Sequence, residues 1–285
     1  MHETNPEMKH GSNRATWDPK NVFAGTSRFY TRYRPGYPKK VIQTILESFK
    51  LNDKSRVIDL GCGTGQIAIM LAPYIGEVIA IDPQEEMLQE GQKLDSVKRL
   101  SNITWVEGES ADILSLVNKQ EDIPLTIIAR AFHWMDREQT LKDLYRLTKP
   151  GGGIAVVVDN GPLDGPELPW KRVIKETVKI WLGEERKAGT TGTYIHPTKF
   201  HQEVLKESEF GNFKTVSVKS ERTWSIDRIV GYVYSASYVS IPVLGDKKEL
   251  FEADLRKRLT ELNPTGRFRE RVNTRIMMAW KKLTV

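Results

Sequence analysis

Val57-Ile58-Asp59-Leu60-Gly61-Cys62-Gly63-Thr64-Gly65-Gln66 is the stretch that decides the fold. It reads as a buried strand, then a glycine-rich turn, then a helix beginning near Gln66. Glycines permit positive φ and close approach of a ligand to the main chain. A turn that opens a helix also offers unpaired N–H groups at the helix N-terminus. Working outward, Arg56–Leu60, Val78–Ile81, Ile103–Val106, Leu125–Ala129 and Ile154–Val158 are short apolar runs without polar alternation. Between them Gln66–Ala72, Glu85–Leu94 and Arg137–Leu147 have helical spacing or composition. Such alternation predicts an α/β fold with a mostly parallel sheet covered by helices on both faces. Lys149–Gly153 (KPGGG) is expected to break the chain before the fifth strand.

The turn's chemistry is sharpened by two details. A dinucleotide-binding turn, GxGxxG, would place glycine at position 66, where this chain has Gln66. The acid before the turn, Asp59, would repel a pyrophosphate and attract the α-ammonium of an amino-acid ligand. S-adenosyl-L-methionine has that ammonium and no phosphate. Asp82 ends the second predicted strand, where a carboxylate can accept from both ribose hydroxyls. Pro83 then leads into a helix carrying Met87, whose side chain could lie against adenine or simply fill the core. The segment Val106–Asp112 leaves the third strand and offers Ser110, an Ala111 N–H and the Asp112 carboxylate to the adenine edge.

From about Phe23 to Asn160 the chain resembles the class I S-adenosylmethionine-dependent methyltransferases. Within them it is most similar to the small-molecule group that includes trans-aconitate and ubiquinone-type enzymes. The resemblance rests on Asp59-Leu60-Gly61-Cys62-Gly63-Thr64-Gly65, on Asp82 as ribose-binding acid, and on Lys149-Pro150-Gly151-Gly152. It also includes an N-terminal YxxYRPxYP element, Tyr30 to Pro38, present in one branch, where the tyrosine and arginine close over the cofactor. This implies roles for Tyr30, Tyr33 and Arg34, a seven-stranded Rossmann-like sheet, and S-adenosyl-L-methionine as cofactor.

Arg130-Ala131-Phe132-His133-Trp134 follows the fourth strand, at the carboxyl end of the sheet where ligands bind in this fold. The resemblance places it beside the transferable methyl group, with Arg130 and Ala131 toward the cofactor and Phe132, His133 and Trp134 toward the acceptor. His133 is the candidate catalytic residue. It could take a proton from an acceptor oxygen or nitrogen, or it could only line the pocket.

After Asp159 the pattern changes. Trp170, Val173, Ile174, Thr177, Val178 and Trp181 repeat with helical spacing, leaving Lys171, Arg172, Lys175 and Lys179 on the other positions. Helical stretches are predicted at 226–240 and 247–262, and strands at 213–218 and 268–280. The expected organisation is a tail over 1–22, a cofactor-binding core over 23–160, and a helical cap over 161–212 and 225–262. Closing strands of the core fall in 213–220 and 263–285. The cap should wall the acceptor pocket with Tyr194, and with Trp224 and Tyr232.

Composition narrows the classes. Of 285 residues 39% are apolar and 28% charged, as in an ordinary globular chain. The single cysteine, Cys62, excludes an internal disulfide, and the five histidines lack metal-ligand spacing, so no metal is expected. Residues 1–13 lack the apolar run of a signal peptide, and a cytoplasmic protein without membrane partners is expected. Net charge is +6, with seven basic residues and only Asp18 opposing them between Arg14 and Lys40. That favours an anionic ligand over nucleic acid. The predicted function is methyl transfer to a small molecule, a carboxylic acid or another O or N nucleophile. An RNA or protein methyltransferase, or a module that holds the cofactor without catalysis, would share the same cofactor motif.

Overall fold

The computed structural model describes residues 18–117, 122–159, 161, 168–190, 192–194 and 197–283. The strands are β1 (Arg56–Leu60), β2 (Glu77–Asp82), β3 (Ile103–Glu107), β4 (Ile123–Ala129) and β5 (Thr148–Val158). They continue with β6 (Lys187–Ala188), β7 (Gly192–Thr193), β8 (Gly211–Ser225) and β9 (Arg267–Trp280). The helices are α1 (Ser27–Tyr33), α2 (Lys39–Phe49), α3 (Gln66–Leu71), α4 (Glu85–Lys98), α5 (Ile113–Leu116) and α6 (Arg137–Leu147). After the core come α7 (Pro169–Leu182), α8 (His201–Glu207), α9 (Ile226–Tyr234), α10 (Ile241–Leu244) and α11 (Lys248–Leu262). No described helix is long and apolar enough to cross a membrane.

Seven strands form one sheet in the order β3-β2-β1-β4-β5-β9-β8. The first five are mutually parallel, and β9 runs antiparallel between β5 and β8. Successive strand residues point to opposite faces, so each strand feeds two cores. Val57, Val78, Ala80, Leu125 and Val157 join α2 and α3 on one face. Ile58, Ile79, Ile81, Ile128 and Val156 join α5, α6 and α8 on the other. Chain order reverses between β1 and β4, which puts the ligand-binding crevice at their carboxyl ends.

A third core lies beyond the sheet. β5 pairs with β9 only through Arg275–Trp280, whereas β8 and β9 stay paired out to Ser225 and Arg267. This overhang carries Trp224 and Phe268 into a cluster with Trp170, Ile174, Ile229, Val233, Phe251, Leu255 and Leu259 from α7, α9 and α11. The cap is thus anchored on two long strands of the core sheet rather than tethered by loops.

Three readings of the sequence are corrected. The KPGGG run does not precede the fifth strand but lies inside β5, with a register irregularity against β4. Gly153 pairs with Leu125 and Trp280, and a Cβ there would stand 2.1 Å from the Ala279 carbonyl oxygen, so only glycine admits the neighbouring strand. The helix expected over 226–240 ends at Tyr234, and a turn and short helix follow. Lys171, read as a solvated position of α7, is 2% exposed.

Candidate active site

The glycine turn is held by its own protein. Gly61 and Cys62 N–H both donate to the Ile81 carbonyl, Gly65 N–H to Cys62 O, and Gly63 N–H to Asp82 Oδ2 at 2.8 Å. These donors, expected to face a ligand, instead pin the turn to the end of β2. Gly61, Gly63 and Gly65 have φ of +69°, +56° and +74°. A side chain at Gly61 would collide with Ala131, and one at Gly65 would stand 2.3 Å from the Trp105 ring. The same indole would meet a Cβ on Gly91 of α4 at 2.4 Å, so Trp105 is packed against both glycines.

Asp59 differs from expectation. It is 1% exposed and its Oδ2 accepts the Ala68 N–H at 3.0 Å, clipping α3 to β1. Burial pushes its carboxyl up to about 7. It does not line the cavity beside the turn, and neither do Cys62, Thr64 and Gly65. Asp82 does. Its oxygens accept from Gly63 and Gln84 N–H, which fixes the carboxylate, and burial raises it to about 6.

A cavity of about 110 Å³ runs along this turn, lined by Gly61, Gly63, Asp82, Pro83, Met87, Ser110, Tyr30, Arg130 and Ala131. Pro19, Val22 and Phe23 also line it, and Gln84 Nε2 donates to Pro19 O, so the segment before α1 lies over the crevice. An ordered carboxylate at the β2 tip, an apolar shelf of Pro83 and Met87, and an open glycine surface fit a nucleoside with a charged tail. Ala111 and Asp112 are exposed instead, because the Asp112 carboxylate turns back to accept Glu109 N–H.

A second cavity, about 590 Å³, opens under the cap. Its lining includes His133, Trp134, Tyr194 and Tyr232, all singled out in the sequence, together with Tyr238, His201, Arg186 and Arg275 from the cap and β9. Phe23, Tyr30, Arg130 and Trp134 line both cavities and form the wall between them. Phe23 meets Trp134 and Tyr30 edge-on, at 5.6 and 6.2 Å between ring centres.

Other predicted residues are placed elsewhere. Phe132 is 1% exposed in the core between β4 and α6, since its short helical turn directs one side chain inward and the next two to the cavity. Trp224 is fully buried in the cap, donating to Glu270 Oε1 at 3.0 Å. Tyr33 stacks on Phe29 and packs against Gly231 of α9, away from both cavities.

Arg34 and Arg130 line the cavity under the cap, but their donors are already engaged. Arg34 bonds Ser235 Oγ, Ser235 O and Tyr232 OH, tying the segment after α1 to the cap. Arg130, at φ +57°, makes a bidentate pair with Asp159 and donates to Pro35 O, tying that segment to the core. Burial alone would raise Asp159, but Arg130 and Arg222 outweigh it and hold the carboxyl below its ordinary range. The chain of charge continues from Arg222 to Glu270, at 4.0 Å, and from Glu270 to Lys171, at 2.9 Å. Sequence reasoning missed this network. Its signal was Glu270, an acid standing between Phe268 and Val272 on the apolar face of β9.

His133 is buried, and desolvation followed by the neighbouring His201, Arg186 and Arg34 pushes it down to about 3. At neutral pH it is an uncharged imidazole and a weak base. His201 is lowered to about 4, by burial and by Arg137 and Arg275. The site therefore offers neutral imidazoles, phenols and arginines rather than a strong base.

A family model described as a methyltransferase domain matches residues 57–152. The Saccharomyces cerevisiae protein named a probable S-adenosylmethionine-dependent methyltransferase, CRG1, is 32% identical over 130 residues, 45% of this chain and 44% of that protein. An uncharacterised methyltransferase of Schizosaccharomyces pombe is 25% identical over 191 residues, 67% of this chain and 71% of that protein. The match thus spans less than half of the first relative. In fold, the YcgJ protein of Bacillus subtilis superposes with a TM-score of 0.54 at 14% identity, covering 87% of this chain and 100% of that one. The [4+2]-cyclase SpnF superposes at 0.50 with 15% identity over 88% and 84% of the two chains, so the fold alone does not name a reaction. The ordered turn and the Asp82 carboxylate both lie inside the segment, residues 57–152, that matches the methyltransferase-domain model.

Proposed function

We propose that this protein transfers a methyl group to a small carboxylic acid held in the cavity under the cap. The observation that carries the reading is the shared wall of Phe23, Tyr30, Arg130 and Trp134, which sets the acceptor cavity directly against the cofactor crevice. Bound in that crevice, S-adenosyl-L-methionine supplies an electrophilic methyl on a sulfonium that leaves as a neutral thioether. Gly61, Gly63, Asp82, Met87, Ser110 and Ala131 hold the cofactor in this reading. Tyr30 and Trp134 position the two ligands at the partition and exclude water. Positioning of this kind supplies much of the acceleration in a displacement with a good leaving group.

Charge supports an acid as acceptor. A carboxylate arrives ionised, so no protein group has to remove a proton, which agrees with a neutral, weakly basic His133. His133 then serves as a wall and hydrogen-bonding group. The cavity's arginines favour an anion, and its walled form favours a small molecule over RNA or a protein chain.

The test is transfer from methyl-labelled S-adenosylmethionine to a panel of small mono- and dicarboxylic acids. Base-labile methyl ester forming together with S-adenosylhomocysteine is the expected result. Label appearing only in RNA or protein, or in no acceptor while the cofactor binds, would overturn the reading.

A further inference from the structure

Cations dominate the acceptor cavity, and most are already committed. Arg130 is spent on Asp159 and Pro35 O, Arg34 on Ser235 and Tyr232, and Lys199 on Glu138 and Glu207. The lining's acid, Asp159, is shared by Arg130 and Arg222. Arg275 has no carboxylate partner among the described residues but stands exposed on β9, where water screens it. Arg186 is different. It is half-buried, pairs with no carboxylate among the described residues, and its Nε is buried without a hydrogen-bond partner.

The guanidinium is nevertheless held in place. It packs against the rings of Tyr194, at 4.4 Å, and Tyr238, at 4.5 Å. Arg186 sits at the base of the β6–β7 hairpin, where its carbonyl accepts Tyr194 N–H at 2.9 Å. The hairpin turn is braced from behind, because Gly189, at φ +69°, lies against the backbone of Asn21 and Val22. Its charge already reaches into the cavity, helping to keep His133 neutral. A buried donor left without a partner is costly, and a carboxylate presents two oxygens matched to a guanidinium's parallel donors. Fixed by aromatic packing and lacking a counterion among the described residues, Arg186 is organised for an anion from outside them.

We propose that Arg186 is the specificity-determining residue of the acceptor cavity, binding a second, non-reacting carboxylate of the acceptor. This rests on the reading that an acid is methylated here. It makes the preferred acceptor a dicarboxylate, one end at the partition with the cofactor crevice and the other at the hairpin.

Calorimetry on the protein saturated with S-adenosylhomocysteine tests it, using straight-chain dicarboxylates from butanedioate to octanedioate and their dimethyl esters, which have no carboxylate for Arg186. The best dicarboxylate should bind at least about 30-fold more tightly than its diester. Arg186→Gln should close most of that gap by weakening the dicarboxylate, with S-adenosylhomocysteine affinity and diester binding unchanged, and Arg186→Lys should restore part of it. A wild-type protein without the gap, or an Arg186→Gln variant that keeps it, would overturn the inference. Dicarboxylates that bind through Arg186 yet accept no methyl would instead overturn the acceptor reading alone and leave Arg186 as a carboxylate-binding residue.

Discussion

The two cavities use charge in opposite ways. Beside the glycine turn, the polar groups are bonded within the protein: Asp82 by Gly63 and Gln84, Asp59 by Ala68, and Gly61 and Cys62 by Ile81. Under the cap, Arg186 stands without a carboxylate among the described residues, and two histidines are held neutral by burial, with surrounding arginines adding to it. The first arrangement is largely fixed before any ligand arrives, although the buried Asp59 Oδ1 has no partner among the described residues, so little reorganisation is needed on binding. The second leaves charge for the ligand to satisfy, so its selectivity resides in a few groups from the cap. A shared cofactor and divergent acceptors would follow from such a division.

Three substitutions press on that contrast. The largest effect is expected for Lys171→Met, which leaves Glu270 in a buried site without its ammonium partner. Losing one member of a buried pair costs about 3–5 kcal/mol. Denaturant unfolding should show that loss. Hydrogen exchange should rise in α7 and α11 while the glycine turn stays protected, if cap and core are as separable as their chemistry. A uniform rise would break the contrast and make the β8–β9 overhang a single cooperative unit with the core.

Next is Asp82→Ala, which should weaken S-adenosylhomocysteine binding about 100-fold, at roughly 1.5 kcal/mol for each hydrogen bond to a charged group. The sign of the pH effect follows from burial holding this carboxyl near 6. A ligand hydroxyl donates to the ionised form, so affinity is full above pH 6 and falls as pH drops through it. The variant should lose that dependence, and calorimetry at two pH values decides it.

The smallest effect is expected for His133→Gln, under about tenfold in the acceptor's kcat/KM at saturating cofactor, with a flat pH profile between about 5.5 and 8. A general base would give about 10²–10⁴-fold and an inflection. That larger loss would place proton transfer in the cavity under the cap.

What could be read in the sequence follows the same division. The turn and Asp82 lie at strand ends that the apolar runs announce, and Met87 lies in the helix that follows, so local spacing is enough to place them; Tyr30, in α1, is marked only by the YxxYRPxYP resemblance. Side-chain direction was less accessible. Asp59 and Asp112 turn back to nearby backbone N–H groups, and neighbours within one short turn diverge, Phe132 inward and His133 outward. Periodicity placed Lys171 on the solvated side of α7, since the carboxylate that buries it comes from β9. Arg186, His201, Tyr238 and Arg275 come together from four separate segments, which no local pattern links.

Trp105 carries a consequence for how relatives of this protein can vary. One indole occupies the space that side chains at Gly65 and Gly91 would need. Changing either glycine alone is a collision. A smaller residue at 105 would make room at both, but Gly65, at φ +74°, would stay strained with any side chain. Positions 91 and 105 can therefore change together, while the last glycine of the motif is held by its backbone as well as by the indole. A homologue with a smaller residue at 105 can carry a side chain at 91 and keep the turn that faces the cofactor crevice.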